Sequence, residues 1–405
     1  MFQNNPSITA FLLFVNLLVV ANLANAQWNF SLSYDQEYND NPFHLPEAES
    51  SWISSLQFGA EHESNKLTVG YYGNYSHFNN ILDRNFYLHQ LALFGGSDTT
   101  GWGFFGEQRI NKSGYNIYDY KDLNGIFRHR FSIAGIVANW QSKIQFNFYD
   151  QLSELNNWKL NSNLRFHKSF QTRTTIIAGV GVDYKNYLNS SNLTEIESDT
   201  SLTNPTTEMG TGQGNGKGNG KGYRRGEENG FLTETSYVDL ENPSVMQISF
   251  WLRLAQSITP TTGLAFSYYN RTLLSGQDRF ISGISYSYNQ ESEIFNDPLG
   301  FESHSIGTEL SKLLPMEVML KLAGFYVKKN YSAQGIYIDE ENYDESTLRK
   351  DKYKTFYFNL KKDFEFIKGS TLALSLYYQW ISNNSNSYWN NYKNNFCSIG
   401  LEFGF

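Results

Sequence analysis

Acid–base or metal chemistry would have to begin with the histidines, His44, His62, His77, His89, His129, His167 and His304. None falls in a zinc-ligand spacing such as H-E-x-x-H, so the sequence calls for no metal and no cofactor. His304 has Asp297 and Glu302 close by in sequence. Those are the parts of an acid–base pair, although carboxylates beside a histidine are equally a feature of solvated loops. No serine or aspartate stands with a histidine in a signature of the kind a membrane-embedded phospholipase or protease needs, and the chain reads as a non-enzyme. Arg128-His129-Arg130 concentrates positive charge. It could hold anionic lipopolysaccharide or simply mark a solvated strand end.

A second candidate for chemistry is the run from Gly212 to Gly226, which contains Gly216-Lys217 and Gly220-Lys221. A phosphate-binding loop requires a glycine five residues before the Gly-Lys pair and Ser or Thr after the lysine, and neither is present. The surrounding segment, about 189–243, is polar and poor in apolar residues, as expected of a disordered external loop. Lys217, Lys221, Arg224 and Arg225 could attract acidic surface sugars from it.

What must carry these residues is set by the remainder of the chain. Phe11 to Val20 is apolar and is followed by Ala24-Asn25-Ala26. This is the pattern of a secretory signal peptide over 1–26, cleaved after Ala26. The run is shorter than the roughly 20 residues of a spanning helix, and no cysteine follows to suggest a lipoprotein. Mean hydropathy is −0.48, and no later run could cross a bilayer as a helix, which excludes a helical membrane protein. The single Cys397 allows no internal disulfide. Aromatic residues make up 17% of the chain and suit the interface girdles of a membrane barrel. A formal charge of −8 together with an exported route argues against a nucleic-acid partner.

From Gln27 to Phe405, apolar and polar residues alternate in blocks of roughly ten to thirteen, the length of a tilted membrane strand. Leu67, Val69, Tyr71 and Tyr75 oppose Lys66, Thr68, Gly70 and Asn74. Ile144, Phe146 and Phe148 oppose Lys143, Gln145 and Asn147, and Leu160, Leu164 and Phe166 oppose Lys159, Asn161, Asn163, Arg165 and His167. Leu372, Leu374, Leu376, Tyr378 and Trp380 form a further face. Short turns alternate with longer polar connections at 79–83, 111–125 and 332–349, which favours a barrel over a soluble sandwich. The expected fold is therefore all-β, a transmembrane antiparallel up-and-down barrel spanning 27–405. About seventeen strand candidates can be marked, but a single-chain bacterial barrel needs an even number. The parity error lies between Gly263 and Lys312, where 272–278 and 291–300 compete to be the external loop, leaving sixteen or eighteen strands.

If the apolar faces meet lipid, the polar faces line a lumen. They supply Lys143, Lys159, Arg165, Lys185, Arg253, Arg271, Lys321 and Lys361 against Glu61, Glu107, Asp183, Glu309 and Glu402. The excess of positive charge predicts a weak preference for anions. The final segment places Ile399, Leu401, Phe403 and Phe405 on one face. An alternating last strand that stops on an aromatic residue, here Phe403 and Phe405, resembles the signal read by the barrel-assembly machinery, to which an edge strand can add.

Asn384-Ser385-Asn386 with Tyr388, Tyr392 and Asn394, together with Leu313-Leu314-Pro315 and Lys329-Asn330-Tyr331, is similar to the ends of barrels in surface-lipoprotein assembly modifiers and polysaccharide-export porins. The resemblance covers roughly the last hundred residues and implies architecture more than activity. Those relatives often carry an N-terminal helical-repeat domain, which here has no counterpart between the signal peptide and the first strand. The expectation is a channel or export porin in the bacterial outer membrane, in contact with its lipid and lipopolysaccharide, passing polar solutes. The alternative is a non-conducting surface protein whose long loops bind a partner or matrix.

Overall fold

The computed structural model describes residues 28–64, 66–80, 84–112, 115–189, 236–237, 244–276, 278, 281–282, 297–367 and 370–405. The expected signal peptide and nearly all of the Gly-rich loop, with Lys217, Lys221, Arg224 and Arg225, lie outside the described residues.

The alternating blocks form sixteen strands: β1 (Trp28–Asn39), β2 (Ser51–Ser64), β3 (Leu67–Phe78), β4 (Phe86–Gly96), β5 (Thr100–Asn111), β6 (Tyr120–Ile133), β7 (Ile136–Tyr149), β8 (Asn157–Ser169), β9 (Thr174–Tyr187), β10 (Ser244–Thr259), β11 (Thr262–Gly276), β12 (Phe301–Leu314), β13 (Val318–Tyr331), β14 (Lys350–Ile367), β15 (Ser370–Ser385) and β16 (Tyr392–Gly404). Each pairs antiparallel with its neighbour in sequence, and β1 with β16 closes the barrel. Phe405 completes the closure by exchanging backbone hydrogen bonds of 2.8 and 3.0 Å with Phe30, whose ring stacks on its own at 5.8 Å.

Sixteen strands resolve the parity question. β11 runs to Gly276, so 272–276 is wall and not external loop, and the next wall strand begins only at Phe301, which leaves 297–300 to the connection between them. Two residues of that connection, Ile281 and Ser282, pair with Ser236 and Tyr237 outside the barrel wall. A second expectation needs correcting: the connection after β5 ends at Asp119, and residues 120–125 belong to β6. Their outward face, Lys121-Leu123-Gly125, is too weakly apolar to announce a strand.

Short turns join β2 to β3, β4 to β5 and so on around one rim, and the start of β1 and the end of β16 share that rim. By the threading of such barrels it faces the periplasm. At the β6–β7 turn, Ala134 and Gly135 both take positive φ (49° and 75°), the two-residue type I′ geometry that matches strand twist. The outer surface is the belt expected for lipid. Leu91 is 65% exposed, Phe104 60% and Leu123 57%, values that only an apolar solvent tolerates in a contiguous band. Aromatic pairs flank the belt, Phe127 against Trp140 at 5.5 Å toward the short-turn rim, and Tyr75 against Tyr87 (4.7 Å) and Trp158 against Tyr184 (5.2 Å) toward the other.

The only extensive apolar packing among the described residues lies inside the long-loop end. Tyr118, Tyr120, Tyr149, Leu152, Leu155 and Tyr187 form one cluster, and Phe43, Leu45, Ile53, Phe78 and Phe86 another. Both combine wall residues with loop residues, so the external loops fold inward. Buried asparagines tie them down: the Asn41 amide donates to the Leu45 and Lys393 carbonyls (2.7 and 2.9 Å), and that of Asn157 to the Leu155 carbonyl (2.7 Å). Arg84 is held among Phe43, Tyr115 and Tyr118, its guanidinium 4.3 Å from the Tyr118 ring centre, where the ring face attracts the cation.

Candidate functional site: the charged inner wall

Strand register decides which side chains look inward. In β7 to β9, Lys143 stands opposite Asn161, Asn161 opposite Asp183, and Lys159 opposite Lys185, all on the face away from Ile144, Leu160 and Val182. The same alternation puts Arg165, Arg253, Arg271, Lys321 and Lys361 inside, together with Glu61, Glu107, Glu309 and Glu402.

Register also brings in charges that sequence reasoning left out. Arg109, Arg128, Arg130 and Lys329 face inward, as do Asp35, Glu37, Glu63, Asp122, Asp351, Asp363 and Glu365. Acidic and basic side chains of the described inner wall are then equal in number, and the positive excess counted from the sequence disappears. Arg128 and Arg130 had been read as the edge of a strand. Both lie within β6 near the short-turn rim, pointing into the barrel, which takes them away from lipopolysaccharide. His129, between them, points out and meets the Thr100 hydroxyl at 2.8 Å.

Some of these charges are gathered into pairs. Near the long-loop end, the two ends of the connection between β11 and β12, at Asp278 and Asp297, lie inside the barrel and are pinned to β8 and β9. Lys185 donates to Asp278 at 2.8 Å and to Asp297 at 2.9 Å, Lys159 donates to Asp297 at 3.0 Å, and the Tyr187 hydroxyl donates to Asp278. The side chains of Lys185, Asp278 and Asp297 are almost fully buried, with exposures of 5, 6 and 5%. Burial alone would raise the Asp297 carboxyl, but Lys159 and Lys185 hold it well below the usual carboxylate range. For Asp278 burial wins over the pull of Lys185, and its carboxyl is raised. Gln247 seals the contact by donating to the Leu299 and Phe301 carbonyls (2.7 and 3.1 Å). His304 takes no part: it faces outward toward Tyr268 and Asn270, on the other side of the wall from Asp297. Glu302 shares that outer face, but its carboxylate accepts the Leu273 backbone N–H at 3.0 Å.

A second group pairs Arg349 with Asp351 through two hydrogen bonds of 3.0 and 2.5 Å, beside the Tyr331 ring. Arg253 donates to Glu309 at 2.8 Å, and Tyr357 donates to the other oxygen of that carboxylate at 3.1 Å.

The short-turn half differs. Arg128, Arg130 and Arg165 are exposed, and among the described residues no carboxylate lies within ion-pair distance of them. With Asp98, Asn139, Gln141 and Asn163 they line a recess of about 530 Å³, in which three cations face one carboxylate. Arg165 stacks 5.0 Å over the Trp251 ring, which itself lies flat against Gly179, where no side chain interferes. Glu107, Glu402, Gln57, Asn74 and Gln90 line another recess, of about 370 Å³.

A closed sixteen-strand barrel with an apolar belt outside and a charged wall inside is a bacterial outer-membrane β-barrel. No family model and no curated protein matches the chain. Among solved structures it is similar to a bacterial polysaccharide outer membrane secretin, at 8% identity and a TM-score of 0.49 over 93% of this chain and 97% of that one. It is similar also to OpdK of Pseudomonas aeruginosa, in a structure with vanillate, at 7% identity and a TM-score of 0.46 over 93% and 99%. CdiB from Acinetobacter baumannii is similar at 10% identity and a TM-score of 0.48, over 93% of this chain and 60% of that one.

Proposed function

We propose that the barrel is a channel for small polar solutes, wide and charged at the periplasmic rim and narrowed toward the cell surface by inward-folded loops. One observation carries this reading: the inward face is polar along most strands, with β4 (Phe86, Leu88, Ala92, Phe94) and β13 (Ala323, Phe325, Val327) as exceptions, and at the short-turn end its charges stay exposed inside the barrel rather than packed. A wall of sixteen strands leaves a bore that side chains alone do not fill.

Preference for anions rests on Arg128, Arg130 and Arg165 and is offset by Asp363, Glu365 and Glu402, exposed at the same rim, so it is slight, at most about twofold in permeability. Residues 1–26 act as the secretory leader in this scheme, and Phe403 and Phe405 present the closing strand to the assembly machinery. Conductance of the purified protein in planar bilayers, with the reversal potential in a KCl gradient, tests the proposal. Steps of channel size with slight anion selectivity support it.

The packed loop cores at the outer end favour one rival, a non-conducting surface protein that binds through its loops. Bilayers that remain silent at every voltage would decide for that rival.

A further inference from the structure

In a sixteen-strand barrel, strands eight apart face each other across the bore. β6 therefore faces β14, and β8 faces β16. Toward the short-turn rim this sets Arg128 and Arg130 of β6 against Asp363 and Glu365 of β14, and Arg165 of β8 against Glu402 of β16. All six side chains are exposed. Lys361 approaches Asp363 and Glu402, but at 3.6 Å from each and partly exposed, and Lys321 of the adjoining β13 is exposed on the same side. With Glu61 and Glu63 of β2 also there, the two lysines weaken that side without cancelling it. The equal totals of charge thus conceal a separation: one side of the vestibule is basic, the opposite side acidic.

We infer that this vestibule selects zwitterionic oligopeptides, taking the carboxylate end on the β6–β8 side and the ammonium end on the β14–β16 side. The inference rests on the channel reading above. Strand spacing and tilt give a wall-to-wall diameter of about 32 Å, and side chains reaching in from both sides leave about 20 Å between opposing charges. An extended peptide of about five or six residues spans that distance. The basic recess suits a carboxylate: guanidinium groups present paired N–H donors in the plane of its two oxygens, and Arg165 is already oriented by Trp251. The acidic side offers carboxylates with no preferred geometry, which fits an ammonium group, a compact charge that any acceptor satisfies.

The test is release of labelled peptides from liposomes containing the purified full-length protein. Gly-Ser-Gly-Ser-Gly with free ends is compared with the same peptide acetylated and amidated, equal in length but uncharged. The expected result is release of the zwitterion about threefold faster than the blocked form, by the focusing of charge between the low-dielectric walls of the vestibule. The ratio should fall to about one in R128Q/R130Q/R165Q and, separately, in D363N/E365Q/E402Q, each shown to be folded by its heat-modifiable electrophoretic shift. Equal rates for the two peptides in the natural protein, or a ratio that survives both sets of substitutions, would overturn the inference while leaving the channel standing. Release of neither peptide would remove the channel reading and the inference with it.

Discussion

Lys185→Met removes the cation that two buried carboxylates share, and its effect can be worked from the structure. The substitution nearly preserves side-chain length, so the loss is electrostatic: hydrogen bonds of 2.8 Å to Asp278 and 2.9 Å to Asp297 go, while Lys159 still holds Asp297 at 3.0 Å. Asp278 is left buried beside Tyr187 without its ion-pair partner. Breaking one partner out of a buried pair costs about 3–5 kcal/mol. That is between about a hundredfold and a few thousandfold in the balance between the pinned and the released connection, at about 1.4 kcal/mol per factor of ten. The strand ladder is untouched, so thermal unfolding should hardly move while the connection swings out. Leu299, 7% exposed at the end of that connection, reports the change. In a Leu299→Cys, Cys397→Ser background, a small charged thiol reagent should label residue 299 at least tenfold faster once Lys185 is Met. Adding Asp278→Asn, which removes the stranded charge, should reverse part of that gain. Acidification alone should not imitate it. A carboxyl held low contributes stability above its ordinary value and loses it only as pH falls through the depressed one, so the Asp297 contact persists at pH 5. Unchanged labelling in the Lys185→Met protein would show that these ion pairs do not hold the connection in place.

Three other outcomes follow from separate parts of the structure. His44 stacks on Tyr392 at 4.6 Å, and burial, with help from Lys329, pushes its pKa down from 6.5 to about 4. The first external loop should therefore loosen as pH falls through that window, read as faster amide exchange over 40–50 and abolished by His44→Gln. Deleting Phe405 removes the two backbone hydrogen bonds to Phe30 that extend the closing ladder, and the ring stacked on Phe30, and should lower the heat-modifiable, folded fraction in cells while leaving synthesis unaffected. Gly179→Val places a side chain where the Trp251 ring lies, costing about 1–3 kcal/mol and displacing the indole from Arg165, visible as a shift in tryptophan emission.

Where the outward face is unmistakable, as in β8 or β15, the strand, its register and its lumen residues could be read directly, because lipid demands apolar side chains at every second position. β6 was legible only over its short-turn half. Its outer half presents Lys121, Leu123 and Gly125 outside, a face with one large apolar residue, and so Arg128 and Arg130 looked like a strand edge rather than wall. The excess strand candidate lay between Gly263 and Lys312, and only the pairing of β11 with β12 shows that no further strand enters the wall between Gly276 and Phe301. Lumen charges could be assigned to a face, but not to partners. Lys185 meets carboxylates 93 and 112 residues further along the chain, and nothing local encodes that meeting. Nor could a count of charges reveal their separation across the bore, which depends on knowing that strands eight apart stand opposite.

Thiol labelling along β8 tests the central claim most directly. With Cys397 replaced by Ser, single cysteines at positions 160 to 165 would be exposed in turn to a small, charged, membrane-impermeant reagent, on protein reconstituted in lipid. A water-filled, polar interior predicts rapid labelling at Asn161, Asn163 and Arg165 and protection at Leu160, Ser162 and Leu164. Uniform labelling, or protection of every position, would contradict it.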